Sequence, residues 1–243
     1  MDASTPQFDI STQKRLVRQR IFAIRKAMEG HEREMKSQAA CAEIARLCGI
    51  GQAFDLQNGR LVGSFDKHKP LQATVLHSGN EATLKQQHEA ISIIAVYAAF
   101  PEEIRLDPLI DACYAAGVRV AFPCMNVKGA YDLPMYMREV KEGFWRNGSA
   151  PFAENPLKRF AEDDPSLTAF PIVAPDEIGA IVVPLVGFDE QCNRLGYGGG
   201  NYDAYLSRLS PSCAVVGVGF AEQMVEHVPT EPHDIALPAI VFA

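Results

Sequence analysis

No apolar stretch of this chain reaches the roughly 18 residues that a helix needs to cross a bilayer. Its first residues, Met1-Asp2-Ala3-Ser4-Thr5-Pro6-Gln7, lack the basic and apolar segments of an export signal. Neither membrane insertion nor secretion is expected, and a cytoplasmic location is. Basic excess is missing too: the formal net charge is −7 and the pI is near 5.4. A general nucleic-acid binder carries the opposite sign, so any phosphate ligand must be met by local basic residues. The six cysteines, Cys41, Cys48, Cys113, Cys124, Cys192 and Cys213, contain no Cys-x-x-Cys pair, and several sit in apolar surroundings. They read as reduced thiols that act as small hydrophobes. His68, His77 and His88 fall at spacings that match no usual metal pattern, which favours incidental surface histidines.

What is present suffices for one substantial core: 243 residues, 47% of them hydrophobic and 22% charged. The expectation is a single α/β domain over residues 1–243, with a central mixed, mainly parallel sheet flanked by helices, acting as a monomer. Val17, Ile21, Ile24 and Met28 recur at helical steps, predicting a helix from Ser11 to about Met28. Lys14, Arg15, Arg18, Arg20, Arg25 and Lys26 take its other faces, either as a solvated surface or as charge delivered to an anion. A second helix is predicted from about Glu32 to Cys48, ending at Gly49. The stretch from Gly51 to about Glu81 reads as a short hairpin or an irregular excursion.

Ile91–Tyr97 is a continuous apolar run of the kind a buried parallel strand needs. Asp107-Pro108 opens a helix closed by Gly117, and Val118–Phe122 forms the next strand, completing a βαβ unit. Ligands of open α/β sheets bind beyond the carboxyl ends of such strands, where Glu102 and Glu103 lie. As a bare pair these two fit helix-start charges as well as functional groups. Leu133–Val140 alternates as an antiparallel strand would, and the proline-rich 141–175 region reads as a long loop. Phe144, Trp145 and Phe152 within it suit either a stacking surface or ordinary packing. Cys213–Phe220 is another buried strand, a short helix spans about Glu222 to Glu226, and Ile240–Ala243 suggests an edge strand.

The most informative stretch is Arg194-Leu195-Gly196-Tyr197-Gly198-Gly199-Gly200-Asn201-Tyr202-Asp203. It joins the apolar strand around Ile181–Val183 to a helix marked by Tyr202, Tyr205, Leu206 and Leu209. Four glycines in five residues allow close backbone approach and aim several N–H groups into one concavity, which suits phosphate. Arg194 offers a fork of donors, and Asp203 is placed to hold a divalent cation. No Gly-Lys-Ser/Thr follows, so this is not the usual P-loop, and Asn201 breaks Gly-x-Gly-x-x-Gly. On residues alone, a glycine-rich cap with a solvated Arg and an Asp helix starter remains the alternative. His233 and Asp234 stand as further cation ligands or as a polar loop.

Val183-Pro184-Leu185-Val186-Gly187-Phe188-Asp189, Asn193–Gly200 and Tyr202-Asp203 together closely resemble the signature of the 5-formyltetrahydrofolate cyclo-ligase family. Lys14-Arg15-Leu16-Val17-Arg18, the strand end from Tyr97 to Glu103-Ile104, and Val228-Pro229 with His233-Asp234 are similar to further elements of that family. The resemblance implies a NagB/RpiA/CoA-transferase-like arrangement and ATP-dependent closure of 5-formyltetrahydrofolate to 5,10-methenyltetrahydrofolate. It implies ATP contacts at Lys14, Arg18 and Arg194, Leu195, Gly196, Tyr197, Gly198, Gly199, Gly200, Asn201 and Tyr202. Folate contacts are implied at Ala98, Glu103, Tyr197, Gly198 and Gly199, Mg²⁺ ligands at Asp203 and Asp234, and catalytic roles for Arg194 and Asp203. Asn201 departs from the aromatic residue that many members carry there, and the 51–81 stretch is longer than the family needs. A non-catalytic nucleotide or folate binder is the alternative, and a sugar-phosphate isomerase of the same fold a third reading.

Overall fold

The computed structural model describes residues 9–50, 72–78, 91–129, 132–161, 163–232 and 234–243. Helix α1 (Ile10–Ala27) starts at Asp9, whose side chain accepts from the Thr12 N–H at 2.7 Å and so satisfies one of the unpaired first-turn donors. Helix α2 (Gly30–Leu47) follows after a two-residue break. Strand β1 (Thr74–His77) then precedes β2 (Ile93–Ala95), α3 (Asp107–Ala115) and β3 (Arg119–Asn126). The parallel pairing of β2 with β3 across α3 gives the expected βαβ unit. Strands β4 (Met135–Val140), β5 (Arg159–Phe160), β6 (Ile172–Val173), β7 (Ala180–Pro184), β8 (Gly187–Phe188), β9 (Arg194–Leu195), β10 (Ala214–Gly219) and β11 (Ala239–Phe242) complete the set.

The described residues form a nine-stranded sheet in the order β1-β11-β10-β7-β2-β3-β4-β6, with β5 beside β3. The central strands run parallel, while β1, β4 and β6 add antiparallel partners, so the sheet is mixed and mainly parallel. Alternation along each strand divides the core between two faces. Ile94, Val120, Phe122, Val182 and Val216 point to the face covered by α2 and α3. Ile93, Ala95, Ala121, Ile181 and Val183 point to the other, where Tyr205 packs. Because both faces are buried, these strands read as unbroken apolar runs.

Three expectations change. The terminal strand β11 is not an edge; it lies between β10 and β1, because β1 returns antiparallel along its free side. The 141–175 region is not a bare loop, since it holds helices at Glu142–Arg146 and Pro151–Glu154 as well as β5 and β6. Its aromatics are packed inward: Trp145 stacks on Phe122 at 5.1 Å, and Phe144 and Phe152 both meet Phe170. The helix placed at Glu222–Glu226 is a single 3-10 turn, Ala221–Gln223. Most of the Gly51–Glu81 stretch, with His68, His88 and His233, lies outside the described residues, although β1 occupies part of it. Among the described residues no helix is long and apolar enough to cross a membrane.

Candidate functional site

The glycine-rich stretch emerges from β9, the second arm of a small hairpin with β8. A buried carboxylate shapes that hairpin. Asp189 is fully buried and accepts from the backbone N–H groups of Gln191, Asn193 and Val228, and from the Asn193 side-chain amide, at 3.0–3.1 Å. These bonds tie the hairpin turn to the loop that carries Glu231 and Asp234, and they place Arg194 at the start of the glycines. Gly198 and Gly200 have φ of 96° and 65°, a region that glycine enters without the Cβ penalty of other residues. The helix that follows, Asn201–Leu206, has only six residues, so local side chains rather than a long macrodipole set the charge of the loop.

Arg194 reaches back across the loop and donates from Nη2 to Asp203 Oδ1 at 2.7 Å. Its guanidinium lies 5.8 Å from the Tyr202 ring centroid. Arg194 Nε and the Tyr202 hydroxyl are both buried without a protein partner. Unpaired buried polar groups of this kind are uncommon, and two at one loop suit a ligand with acceptor oxygens.

Helix α1 closes the other side. Lys14, Arg18, Ile21, Arg25 and Met28 share one helical face, and Lys14 and Arg25 are buried on it. Lys14 Nζ lies 2.6 Å from Asp234 Oδ2 and 2.7 Å from Glu231 Oε2. Burial opposes its charge, but the two carboxylates outweigh that and hold the ammonium above its ordinary pKa. Arg18 donates from Nε to the Gly196 carbonyl at 2.8 Å. Burial lowers its pKa, and Asp234 acts in the opposite sense. The basic residues of α1 therefore do not all take the solvated faces.

Glu103 is 5% exposed. It accepts from the Phe100 N–H at 2.8 Å and from the Tyr197 hydroxyl at 2.6 Å. Burial raises its carboxyl above the ordinary glutamate range, against the pull of Tyr197, the Phe100 amide and Arg25. The ring of Tyr197 stacks on Phe22 and meets Phe100 edge-on, each at 5.7 Å between centroids. Ala98, half-buried beyond β2, packs against the core. A cavity of about 510 Å³ borders Gly198, Gly199 and Asn201 on one side and the β3–β4 turn around Asn126 and Lys128 on the other. The loop thus borders open space at Gly198, Gly199 and Asn201.

Among the expected site residues, α1 and the glycine loop come together through Arg18, and the loop meets Glu103 through Tyr197. Asp203 and Asp234 each pair with their own cation, Arg194 and Lys14. No group of three or more His, Cys, Asp or Glu side chains gathers as a metal centre among the described residues. Mg²⁺ needs only one or two carboxylates beside substrate phosphates, and Asp203 uses only Oδ1 for Arg194, so the donor set fits that ion. Sequence reasoning missed Arg25, Phe22, Asp189 and Glu231. The spacing of Lys14, Arg18, Ile21 and Arg25 along α1 was the signal available for Arg25.

A model of the 5-formyltetrahydrofolate cyclo-ligase family matches residues 65–243. A 5-formyltetrahydrofolate cyclo-ligase of Escherichia coli (strain K12) is 32% identical over 150 residues, covering 61% of this chain and 76% of the relative. One of Haemophilus influenzae is 29% identical over 175 residues, covering 72% and 86%. Among solved structures, a 5,10-methenyltetrahydrofolate synthetase from Mycoplasma pneumoniae superposes with a TM-score of 0.59 at 18% identity, over 93% of this chain and 96% of that one. The Aquifex aeolicus 5,10-methenyltetrahydrofolate synthetase gives 0.58 at 19% identity, over 94% and 89%. These two likenesses bear on the fold, and they match the arrangement expected for it.

Proposed function

This chain belongs to the 5-formyltetrahydrofolate cyclo-ligase family, and from that premise we propose that it uses ATP to close 5-formyltetrahydrofolate to 5,10-methenyltetrahydrofolate, releasing ADP and phosphate. The observation that carries the reading is the glycine loop clipped by Arg194 and Asp203 and met from α1 by Arg18. The formyl oxygen on N5 is a poor leaving group. Transfer of the γ-phosphoryl group to it, with ADP leaving, gives an N5-iminium phosphate; N10 attacks the formyl carbon and gives up its proton, and loss of phosphate completes the methenyl bridge.

Phosphoryl transfer of this kind needs positioning and charge neutralisation more than a protein nucleophile. Arg194, Lys14, Arg18 and the amides of the 194–202 loop hold the triphosphate, with Arg194 stabilising the charge that develops on the transferred group. Glu103, Ala98 and Tyr197 receive the folate. Asp203 and Asp234 hold Mg²⁺, which supplies further neutralisation of phosphate charge when bound. The buried thiols take no part, because burial pushes them up to about 11 or 12 and so keeps them protonated.

The test is the absorbance of the methenyl product after protein, ATP, Mg²⁺ and 5-formyltetrahydrofolate are mixed. Product that depends on ATP is expected. A non-catalytic binder forms none, and membership of a ligase family does not favour that reading. Methenyl product that survives omission of ATP contradicts the mechanism, whereas a sugar-phosphate isomerase forms none with or without ATP. The chain is taken to act as a monomer, which sedimentation of the purified protein checks.

A further inference from the structure

We propose that Arg25 is a positioning residue for folate binding: from inside α1 it holds the Tyr197 hydroxyl against Glu103 and so presents that carboxylate to the substrate in one place. The inference rests on the reading of Glu103 as a folate contact. Arg25 is 2% exposed and lies between Ile21 and Met28 on the inward face of α1. Its Nε donates to the Glu102 carbonyl at 2.8 Å and its Nη2 to the Tyr197 hydroxyl at 3.0 Å. That hydroxyl in turn donates to Glu103 Oε1 at 2.6 Å, and Arg25 Nη2 stands 3.7 Å from the same oxygen. The relay therefore joins three segments that are remote in sequence: α1, the turn between β2 and α3, and the glycine loop.

Stability does not explain this arrangement. A buried ion pair is often no better than apolar residues of the same volume, yet it is costly to break from one side. Arg25 Nη1 is also buried without a protein partner, and such an orphan donor calls for a reason beyond packing. A fixed carboxylate beside a stacked tyrosine suits a flat heterocycle whose edge carries N–H donors, which is the chemistry of the folate ring. Phe22 and Tyr197, 38% and 45% exposed, leave ring surface open next to the relay.

Glu103 is faced by Arg25 from α1, Tyr197 from the loop, Glu102 beside it in sequence, Tyr97 at the end of β2, and Tyr202 from the following helix. Burial raises its carboxyl, and Arg25 is one of the groups that oppose the rise. Loss of Arg25 should therefore move the acidic limb of folate binding to higher pH.

The experiment is calorimetric titration of 5-formyltetrahydrofolate, and separately of ATP, into the full chain across pH. The proteins compared are wild type, Arg25→Gln, Arg25→Lys, Glu103→Gln and the Arg25→Gln/Glu103→Gln double variant. Arg25→Gln should weaken folate binding about tenfold at neutral pH, raise the acidic limb, and leave ATP affinity within about twofold. Arg25→Lys should recover part of the folate affinity. In the Glu103→Gln background, Arg25→Gln should cost less than about twofold, because the two residues act as one unit. Equal losses for ATP and folate, or fully additive losses in the double variant, overturn the proposal. Should Arg25→Gln fail to fold, Arg25→Lys and Tyr197→Phe decide: weakened folate binding with a raised acidic limb supports the relay, and unchanged binding in both overturns it. A wild-type chain that binds folate but forms no product overturns the proposed reaction and leaves this test intact, whereas one that binds no folate overturns both.

Discussion

Arg194 Nη2 stands 2.7 Å from Asp203 Oδ1, so a single ion pair clips together the two ends of the glycine loop. The guanidinium is nearly buried, with 5% of its side chain exposed, whereas Asp203 keeps 27%. The pair is thus anchored on the Arg194 side and open on the side where a phosphate or a cation would arrive. Charge of this kind, arranged before the ligand enters, needs no reorganisation at the moment of reaction.

Arg194→Ala and Asp203→Ala should each remove most turnover, by about 2–4 kcal/mol of transition-state stabilisation, or about 30- to 900-fold in rate. Because the two side chains are in contact, the double variant should lose less than the sum of the single losses. Rates of methenyl formation in the three variants check this, and near-wild-type turnover in either single variant contradicts it.

Gly198→Ala and Gly200→Ala separate backbone strain from a steric clash. Both positions have positive φ, 96° and 65°, so each substitution should cost about 1–2 kcal/mol in urea unfolding. An added Cβ at Gly200 meets nothing within 4 Å, whereas at Gly198 it lies 3.3 Å from Arg18 Nη2. Gly198→Ala should therefore raise the KM for ATP more than Gly200→Ala does. Equal KM values would break the link between Arg18 and the loop.

Glu103 predicts a pH trend in stability. Its folded carboxyl is raised above the ordinary value of 4.5, with burial as the largest cause. Between that value and the raised one the native state binds more protons than the unfolded state, so stability falls as pH rises. Gln at this position does not titrate. The melting temperature of wild type minus that of Glu103→Gln should accordingly decrease from pH near 4.5 upward. A difference that stays flat, or that grows with pH, sinks this prediction.

Thiol reactivity tests the core. All six cysteines are free and buried. Burial pushes Cys41, Cys48, Cys113 and Cys213 up to about 12, and Cys124 and Cys192 to about 11. Thiolate is the reactive form. Ellman's reagent at pH 8 should titrate almost none of them in the native protein and all six in guanidinium. Rapid reaction of one or more in the native protein would show that a strand or helix opens locally.

Much of the fold was legible in the residues. Helix α1 lies within one residue of its expected limits at each end, and the apolar runs at Ile91–Tyr97 and Cys213–Phe220 contain β2 and β10. Those signals are local: a period of about 3.6 or an unbroken β-branched run reports which faces are buried. The 141–175 region was misread because its elements are only two to five residues long, too short for a period to show. The place of β11 beside β1 depends on a pairing between residues more than 160 positions apart, and no property of Ile240–Phe242 alone distinguishes an edge strand from an inner one.

The site divides along the same line. By itself the sequence determined the glycine loop, the Arg and Asp at its ends, and the extent of α1, because glycine's backbone freedom and helical spacing act over a few residues. Only the tertiary structure decided which partner each charge meets: Lys14 reaches Asp234 across 220 positions, Arg18 reaches Gly196 across 178, and Arg25 reaches Tyr197 across 172. A charge can leave water only where another group replaces its hydration. The packing of α1 against the loop is what supplied those groups, and it turned a surface-like run of basic residues into one wall of a site.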